Sequence, residues 1–236
     1  MSRMFHIDGK PMRTWNVYVG CRYGCTYCNA SKAALTRFRH VPRYKEGFRP
    51  HLVREELTRV FHPGDFVFIA YMGDIATVLL EELEAIMERV RLFKDTTFLF
   101  LTKAPHVYLR WECVYGFKPT PNLYMGATIE TDRDYGLSIS KAPAPVYRYR
   151  ALRDLQCDHK FVSIEPLMDF HLATVVSWMK VIGPEIIQVG PDNYHNNLPE
   201  PTAPAFWKVN KLLEMLREIC PTVVEKPGLE RMLDIS

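Results

Sequence analysis

Short apolar runs alternate with longer helical patterns along most of this chain, and this alternation constrains the fold more than any other feature of the sequence. Four of the five spacings between successive run starts are about 25 to 37 residues, which suits one strand and one helix each. Most runs are apolar at nearly every position, as expected for parallel strands that are buried on both faces. The predicted strands are Trp15–Val19, Phe66–Ala70, Thr97–Leu101, Leu123–Ala127, Lys160–Ile164 and Glu185–Val189.

Helical periodicity fills several of the gaps between these strands. Apolar residues recur three or four positions apart in Leu79–Phe93, His171–Val181 and Pro204–Cys220. Proline-rich segments predict loops at 141–145 and 191–204. No linker divides the chain, so we expect one domain over residues 1–236. Six βα units predict an open doubly wound sheet or an incomplete (β/α) barrel, and both place functional residues at the carboxyl ends of the strands.

Composition excludes several classes of protein. Hydrophobic residues make up 47% of the chain and aromatic residues 12%, which excludes a disordered protein. No apolar run approaches the roughly 18 residues that a transmembrane helix needs. The first 15 residues lack the apolar stretch of a signal peptide, so we expect a cytoplasmic protein without a membrane partner. The net charge of +3 permits a nucleic-acid partner without arguing for one.

Three of the six cysteines lie within eight residues, in the sequence Cys21-Arg-Tyr-Gly-Cys25-Thr-Tyr-Cys28. Thiolates on such a tight loop can converge on one metal centre, and neighbouring glycines allow the sharp turns that this requires. Three cysteines suit a [4Fe–4S] cluster with one iron left open, because a zinc site needs a fourth ligand. Structural zinc and coincidentally clustered thiols are the alternatives. The other cysteines, Cys113, Cys157 and Cys220, are expected to be free thiols packed in the core.

The C-x3-C-x2-C spacing, with Tyr27 directly before the last cysteine and after the first strand of a βα series, resembles the motif of the radical SAM superfamily. The resemblance implies a single-domain, partial (β/α)6 TIM-type barrel whose Cys21, Cys25 and Cys28 hold a [4Fe–4S] cluster. S-adenosyl-L-methionine would bind the open iron, and its reductive cleavage would release a 5′-deoxyadenosyl radical that abstracts hydrogen from a substrate. An oxygen-sensitive enzyme and a flavodoxin- or ferredoxin-like electron donor are also implied.

The residues after the second predicted strand extend the resemblance. Tyr71-Met72-Gly73-Asp74 lies where the superfamily carries a glycine-rich motif for the methionyl amino group. That motif usually ends in glutamate, and here Asp74 offers the carboxylate, which suits an ammonium partner. Gly73 would let the backbone approach the cofactor. An ordinary turn with a helix-capping aspartate is the alternative.

Other strand ends also carry polar residues: Leu-Thr-Lys at 101–103, Gly-Ala-Thr-Ile-Glu at 126–130 and Ser-Ile-Glu-Pro at 163–166. Together with Thr-Trp-Asn before the cysteines, these segments resemble the phage Gp37/Gp68-like branch of the superfamily over roughly residues 14–190. This branch has no known function.

The resemblance implies roles for individual residues at these strand ends. Thr128 and Glu130 lie at the position that contacts the ribose hydroxyls, and Ser163 and Glu165 are placed to reach the methionyl carboxylate or the substrate. Gly190 ends the strand against which the superfamily often packs the adenine. Lys103 is a candidate partner for an anionic group, because a lysine is a point charge that attracts carboxylate or phosphate. An ordinary hydrogen-bonded loop residue is the alternative for each.

Basic and aromatic residues alternate over 37–54, a pattern that can grip phosphates and stack bases. Arg37, Arg39 and Arg43 are therefore candidate substrate contacts, as is His195 in the loop after the sixth strand, where a lid would lie. A solvated charged face and an exposed connection are the alternatives. Because six βα units leave no separate substrate domain, a bulky substrate (a protein, a nucleic acid or a partner subunit) is expected to close the open side of the barrel. A small molecule covered by the loop at 191–204 is the alternative. The competing hypothesis is a non-catalytic zinc- or Fe–S-bound nucleic-acid-binding module that uses 37–54.

Overall fold

Seven parallel strands form one curled sheet, a half-barrel of the TIM type. The computed structural model describes residues 6–7 and 10–233, so both ends of the domain expected over 1–236 lie outside the described residues. Across the sheet the seven strands follow one another in chain order, and every pair of neighbours is parallel. The strands are β1 (Arg13–Trp15), β2 (Phe66–Ile69), β3 (Thr97–Thr102), β4 (Leu123–Thr128), β5 (Lys160–Ile164), β6 (Ile186–Val189) and β7 (Thr222–Glu225).

The second to sixth helices of the described chain cover the convex face of this sheet, and the third to sixth pack side by side in chain order. The helices are α1 (Asn29–Leu35), α2 (Leu80–Leu92), α3 (His106–Tyr115), α4 (Pro145–Asp154), α5 (Leu172–Ile182) and α6 (Phe206–Ile219). The helices expected from periodicity are confirmed as α2, α5 and α6. Left-handed glycines end two of the helices, Gly116 after α3 and Gly183 after α5. No helix of the described part of the chain is long and apolar enough to cross a bilayer.

The two faces of the sheet differ because side chains alternate along each strand. Outward-facing residues join the helices in the main core. On the concave face a smaller apolar cluster fills the amino-terminal half of the half-barrel, with Met12, Phe68, Leu99, Phe161 and Ile186. Towards the carboxyl ends of the strands this face becomes polar, at Thr128, Ser163 and Gln188. The concave face is therefore closed by apolar side chains at one end and hydrophilic at the other.

The prediction of a partial barrel is confirmed, but the sheet contains one strand more than the six expected. The additional strand, β7, is an edge strand whose Thr-Val-Val-Glu sequence is short and only partly buried. The first expected strand, Trp15–Val19, is divided. Asn16 turns the chain by accepting a hydrogen bond from the Met72 backbone (2.9 Å), and Tyr18–Val19 then pairs antiparallel with His51–Leu52.

Two other expectations need correction. The loop expected at 141–145 ends at Pro145, which occupies the first turn of α4, where a proline fits. Cys220 is buried and Cys157 is partly buried, but Cys113 is exposed, so its assignment to the core is wrong. The buried positions of α3 are Val107, Tyr108 and Trp111, and Cys113 lies two residues beyond Trp111, off that face.

Candidate functional site

A cavity of about 240 Å³ opens at the carboxyl ends of the strands. Its wall includes Tyr27 and Cys28 from the cysteine loop, and the aromatic residues Phe68, Tyr71 and Tyr194. Asn29 from α1 and Asp192 and Asn193 from the loop after β6 also line it. The other polar side chains of the wall come from the ends of β3 to β7 and are Lys103, Thr128, Ser163, Glu165, Gln188 and Lys226. This is the edge of the sheet at which the sequence predicts function.

The cysteine loop is anchored to the segment that follows β2. Gly20 forms a parallel bridge with Gly73, and the Gly20 amide donates to the Met72 carbonyl (2.9 Å). Gly20 has φ +88°, and a Cβ there would lie 2.2 Å from the Arg49 carbonyl oxygen. A Cβ on Gly73 would lie 2.9 Å from the Gly20 carbonyl oxygen. Glycine at position 73 therefore allows the segment after β2 to approach the cysteine loop, and glycine at position 20 allows the backbone at Arg49 to approach it from another side.

The sulfurs of the cysteine loop each have a polar neighbour. The Tyr23 amide donates to Cys21 Sγ (3.4 Å), and the Ser31 amide donates to Cys28 Sγ (3.3 Å). Cys25 Sγ lies 3.1 Å from Ser140 Oγ. Burial raises the pKa of the Cys21 thiol to about 12 and also raises the pKa of Cys28. Iron binding would have to displace these protons, and amide donors favour the resulting thiolates.

The donor set fits an iron–sulfur cluster. All three thiols are partly exposed and free, and soft thiolates are the ligands that such clusters take. Within residues 6–7 and 10–233 no group of three His, Cys, Asp or Glu side chains is placed to hold a single metal ion. The three sulfurs are thus not gathered around one point. In a [4Fe–4S] cluster each cysteine binds a different iron, so the three sulfurs do not have to converge on a single metal ion.

The loop after β4 braces the cysteine loop from the other side. The Thr26 amide donates to the Ile139 carbonyl (2.9 Å), and the Lys141 amide donates to the Tyr23 carbonyl (2.8 Å). Ser140, which contacts Cys25, lies between these two bonds and is buried. The cysteine loop is therefore held by two loops, one after β2 and one after β4.

A buried cluster of charges, the Glu130 cluster, consists of Tyr27, Lys103, Glu130 and Arg148. Glu130 is 2% exposed, and its carboxylate accepts hydrogen bonds from the other three side chains. Arg148 also donates to the Thr128 carbonyl (3.1 Å), and Lys103 Nζ lies 5.1 Å from the centre of the Tyr27 ring. Burial works to raise the pKa of Glu130, but Arg148 and Lys103 outweigh it and lower this pKa from 4.5 to about 2. The cluster fixes Tyr27, and with it the end of the cysteine loop.

Asp74 lies behind the cavity wall. Its carboxylate accepts hydrogen bonds from Thr102 Oγ1 (2.5 Å), the Lys103 amide (3.1 Å) and the Ala76 amide (3.0 Å). The last of these bonds caps a 3₁₀ turn, which is the arrangement named as the alternative for this residue. Burial raises the pKa of Asp74. Contact between Asp74 and a cofactor stays a prediction.

A second group of polar residues, the Glu165 cluster, consists of Glu165, Gln188 and Lys226. Lys226 pairs with Glu165, and the side chains of these two residues are 3% and 25% exposed respectively. Gly190 leaves room for this pair, because a Cβ there would lie 3.0 Å from Lys226 Cδ and 3.2 Å from Glu165 Cδ. Gln188, which is 2% exposed, has an Nε2 without a hydrogen-bond partner among the described residues.

The sequence did not single out Gln188 or Lys226. Gln188 is the one polar residue in the otherwise apolar strand Ile-Ile-Gln-Val, and this is a signal that sequence reasoning can use. Lys226 follows β7, the strand that the prediction missed. Arg148, from the basic and aromatic run Tyr147-Arg148-Tyr149-Arg150, was not singled out either; it is buried and pairs with Glu130.

Of the candidate substrate residues, Lys103 lines the cavity, whereas Arg37, Arg39, Arg43 and His195 do not. Arg37 and Arg39 are exposed, while Arg43 pairs with Glu56 (3.0 Å) and lines a surface groove of about 870 Å³ beside Cys21. Other basic residues in this groove are Arg22, Lys45, Arg49 and His51. His195 is exposed, with φ +52°, and its neighbour Tyr194 reaches the cavity.

The loop after β6 contacts α1, the helix that begins directly after Cys28. Asp192 is buried and accepts hydrogen bonds from the Tyr194 amide (3.1 Å) and Asn196 Nδ2 (2.6 Å). Asn196 in turn accepts a hydrogen bond from Lys32 on α1. This loop thus lies where the sequence predicts a lid.

Comparisons with known proteins agree with this architecture. A family model described as a protein of unknown function (DUF5131) matches residues 10–186. No curated protein matches the sequence. The chain resembles the structure of spore photoproduct lyase complexed with dinucleoside spore photoproduct (TM-score 0.57, 9% identity), with 89% of this chain and 75% of the other covered. A point mutant of spore photoproduct lyase gives a TM-score of 0.59 at 12% identity, with 95% and 80% covered. At these identities the likeness shows a shared fold.

Proposed function

The chain belongs to DUF5131, a family of proteins of unknown function, and we propose that it is a radical SAM enzyme. One observation carries the proposal: the C-x3-C-x2-C loop is clamped at the mouth of a half-barrel cavity, with Tyr27 and Cys28 in the cavity wall. The solved structures of the same fold are of spore photoproduct lyase, a radical SAM enzyme, which supports it. The more specific resemblance to the phage Gp37/Gp68-like branch finds no support in the comparisons.

In this proposal Cys21, Cys25 and Cys28 hold a [4Fe–4S] cluster, and S-adenosyl-L-methionine binds beside it. The chemistry supplied by the bound pair is reductive cleavage of the sulfonium, which yields the radical that takes hydrogen from a substrate. The chain itself aligns the ligands and excludes water. Ser140 and the amides of Tyr23 and Ser31 contact the three sulfurs, and hydrogen bonds to sulfur tune the reduction potential of such clusters.

The cofactor contacts that we propose are those of the sequence resemblance. Tyr27, Gly73, Thr128, Ser163 and Glu165 line the cavity. Gly190 borders Glu165, while Asp74 and Glu130 lie one layer behind the wall. Lys103 connects these layers, because its backbone amide donates to Asp74 and its ammonium group pairs with Glu130.

Anaerobic reconstitution tests the proposal. We expect brown protein after reconstitution with iron, sulfide and reductant, and 5′-deoxyadenosine after addition of S-adenosyl-L-methionine. Full cluster loading without any 5′-deoxyadenosine would rule out the enzyme, and a colourless protein with stoichiometric zinc would favour the non-catalytic module. The fold and its neighbours do not favour that module.

Replacement of a single cysteine sharpens this test. Cys25→Ala should abolish both the cluster absorbance and 5′-deoxyadenosine formation, because it removes one of three iron ligands. Cys113→Ala is the matched control, since Cys113 is an exposed, free cysteine outside the loop. Cluster retention in the Cys25 variant would contradict the ligand assignment.

We propose nucleic acid as the substrate class. The relative with the same fold carries a dinucleoside in its structure, and the groove beside Cys21 is lined by Arg22, Arg43, Lys45 and Arg49. Combined Lys45→Ala and Arg49→Ala should weaken binding of a single-stranded oligonucleotide and lower the slope of log K against log salt by about 1 to 2. Lys211→Ala with Arg217→Ala, on the outer helix α6, is the control. An unchanged slope would contradict the proposal. The electron donor and the cytoplasmic location, which this experiment does not address, remain predictions.

A further inference from the structure

Gln188 is a buried polar side chain in the wall of the cavity. It lies in the middle of β6, is 2% exposed and lines the cavity, and its Nε2 has no hydrogen-bond partner within residues 6–7 and 10–233. Buried amide groups almost always have a partner, because leaving one unpaired costs free energy. Because Gln188 lines the cavity, a molecule bound there can supply the partner that this amide lacks.

The strand register places Gln188 in a row of polar side chains. Gln188 on β6 is the register partner of Ser163 on β5, which is in turn the partner of Thr128 on β4. Partners in a parallel sheet point to the same face, and neighbouring strands are about 4.8 Å apart. All three residues are buried and line the cavity. This strip crosses three strands at one level, directly above the apolar floor of the half-barrel.

An acceptor lies near the orphaned donor. Glu165 follows β5, lines the same cavity and is 25% exposed, and it is held by the buried Lys226. Gly190, two residues after Gln188, lacks a side chain at the point where a Cβ would crowd both members of this pair. The wall therefore offers an N–H donor from Gln188 and a carboxylate acceptor from Glu165.

Part of the cavity wall is aromatic. Phe68 and Tyr71 pack edge to face, with ring centres 5.7 Å apart, and Tyr194 also lines the cavity. Aromatic faces stack on flat rings. A purely apolar ligand would leave the Gln188 amide unpaired.

We propose that Gln188 and Glu165 read the edge of a nucleobase in this cavity. The Gln188 amide donates to a ring nitrogen or carbonyl, and Glu165 accepts from an N–H or amino group beside it, as glutamine and glutamate do with base edges elsewhere. The inference rests on the proposed function, because two nucleobases are then available: the base of a nucleic-acid substrate and the adenine of S-adenosyl-L-methionine.

Calorimetric titration tests the inference on the reconstituted protein. The probes are four trideoxynucleotides, each of one base only, and S-adenosyl-L-methionine. The variant is Gln188→Met, which keeps the length of the side chain and removes its hydrogen-bonding groups. Gln156→Met is the matched control, because Gln156 is exposed and is the other glutamine of the chain. If Gln188→Met does not fold, Gln188→Leu replaces it.

We expect wild type to bind one trideoxynucleotide about fivefold or more tightly than the others, as a good base contact provides. If the base belongs to the substrate, Gln188→Met should remove this preference. If the base is the cofactor's adenine, the variant should bind S-adenosyl-L-methionine more weakly by a similar factor. The melting temperature of the ligand-free variant should be unchanged or higher, because an unpaired donor has been removed.

The inference is overturned by any of three results. These are a wild type without base preference or measurable cofactor binding, a variant that binds all five probes as Gln156→Met does, and a uniform loss for every probe. Failure of the proposed function is distinct from these, because it shows as a wild type that forms no cluster or no 5′-deoxyadenosine.

Discussion

The Glu130 cluster and the Glu165 cluster lie on two sides of the same cavity, and each pairs a carboxylate with a lysine. Glu130 is buried and its carboxylate is shared by Lys103, Arg148 and Tyr27. Glu165 is partly exposed and has Lys226, beside a Gln188 amide that has no partner in the described chain. The first group is complete without a ligand, and the second is not.

This difference separates architecture from recognition. A fully satisfied buried network fixes one geometry, because any rearrangement leaves a charge unpaired. The Glu130 cluster uses that property to hold Tyr27 beside the cysteines. An incomplete group has free hydrogen-bonding capacity that only an incoming molecule can fill. The two sides of the cavity should therefore respond differently to the same kinds of substitution.

The largest difference is expected from removal of each carboxylate charge. Glu130→Gln leaves Lys103 and Arg148 without their anion in a buried site, which should lower the free energy of unfolding by about 3 to 5 kcal/mol. Glu165→Gln, the matched change, leaves only Lys226 without its anion and should cost less, about 1 to 3 kcal/mol, because Glu165 itself is 25% exposed although Lys226 is 3% exposed. Urea denaturation at pH 7 measures both. Equal losses of unfolding free energy would show that the two carboxylates contribute equally to stability.

Acid pH should remove the difference in unfolding free energy between wild type and Glu130→Gln. The pKa of Glu130 is lowered from 4.5 to about 2 in the folded protein. A lowered folded-state pKa gives stability that is present above the unfolded pKa and is lost as pH falls through the folded one. The stability gap between wild type and Glu130→Gln should thus be full above pH 4.5 and close towards pH 2, a change of about 3 kcal/mol. A gap that is constant across this range in denaturation curves would contradict the assignment.

Sequence patterns predicted the parts of this molecule that depend on local periodicity. The apolar runs gave six strands, and the cysteine spacing gave the loop at the carboxyl edge, because both signals lie within a few consecutive residues. The strand β7 was missed because Thr222–Glu225 is short and lies at the sheet edge, with weak burial. The partners of Glu130 were also missed, since Lys103 and Arg148 are distant in sequence and only the fold brings them together.

A pair of glycines provides the smallest and most local test of the comparison. A Cβ on Gly126 in β4 would lie 2.9 Å from the Phe100 carbonyl oxygen, which is backbone of a central strand. Gly126→Ala should therefore cost about 1 to 3 kcal/mol, because the sheet cannot yield without strain. A Cβ on Gly190 would instead meet side-chain atoms, Lys226 Cδ at 3.0 Å, Lys226 Cβ at 3.1 Å and Glu165 Cδ at 3.2 Å.

Lys226 Cδ and Glu165 Cδ belong to the incomplete cluster and can shift by a few tenths of an ångström, whereas Lys226 Cβ is held by the backbone. Gly190→Ala should therefore lower the free energy of unfolding by about 0.5 to 1 kcal/mol, while the displaced Glu165 weakens nucleobase binding. Thermal unfolding and calorimetric titration of the two variants separate these effects. If Gly190→Ala costs as much stability as Gly126→Ala, the Glu165 side is as rigid as the Glu130 side. Its vacant donor would then be a fixed defect of the core rather than part of an adaptable binding site.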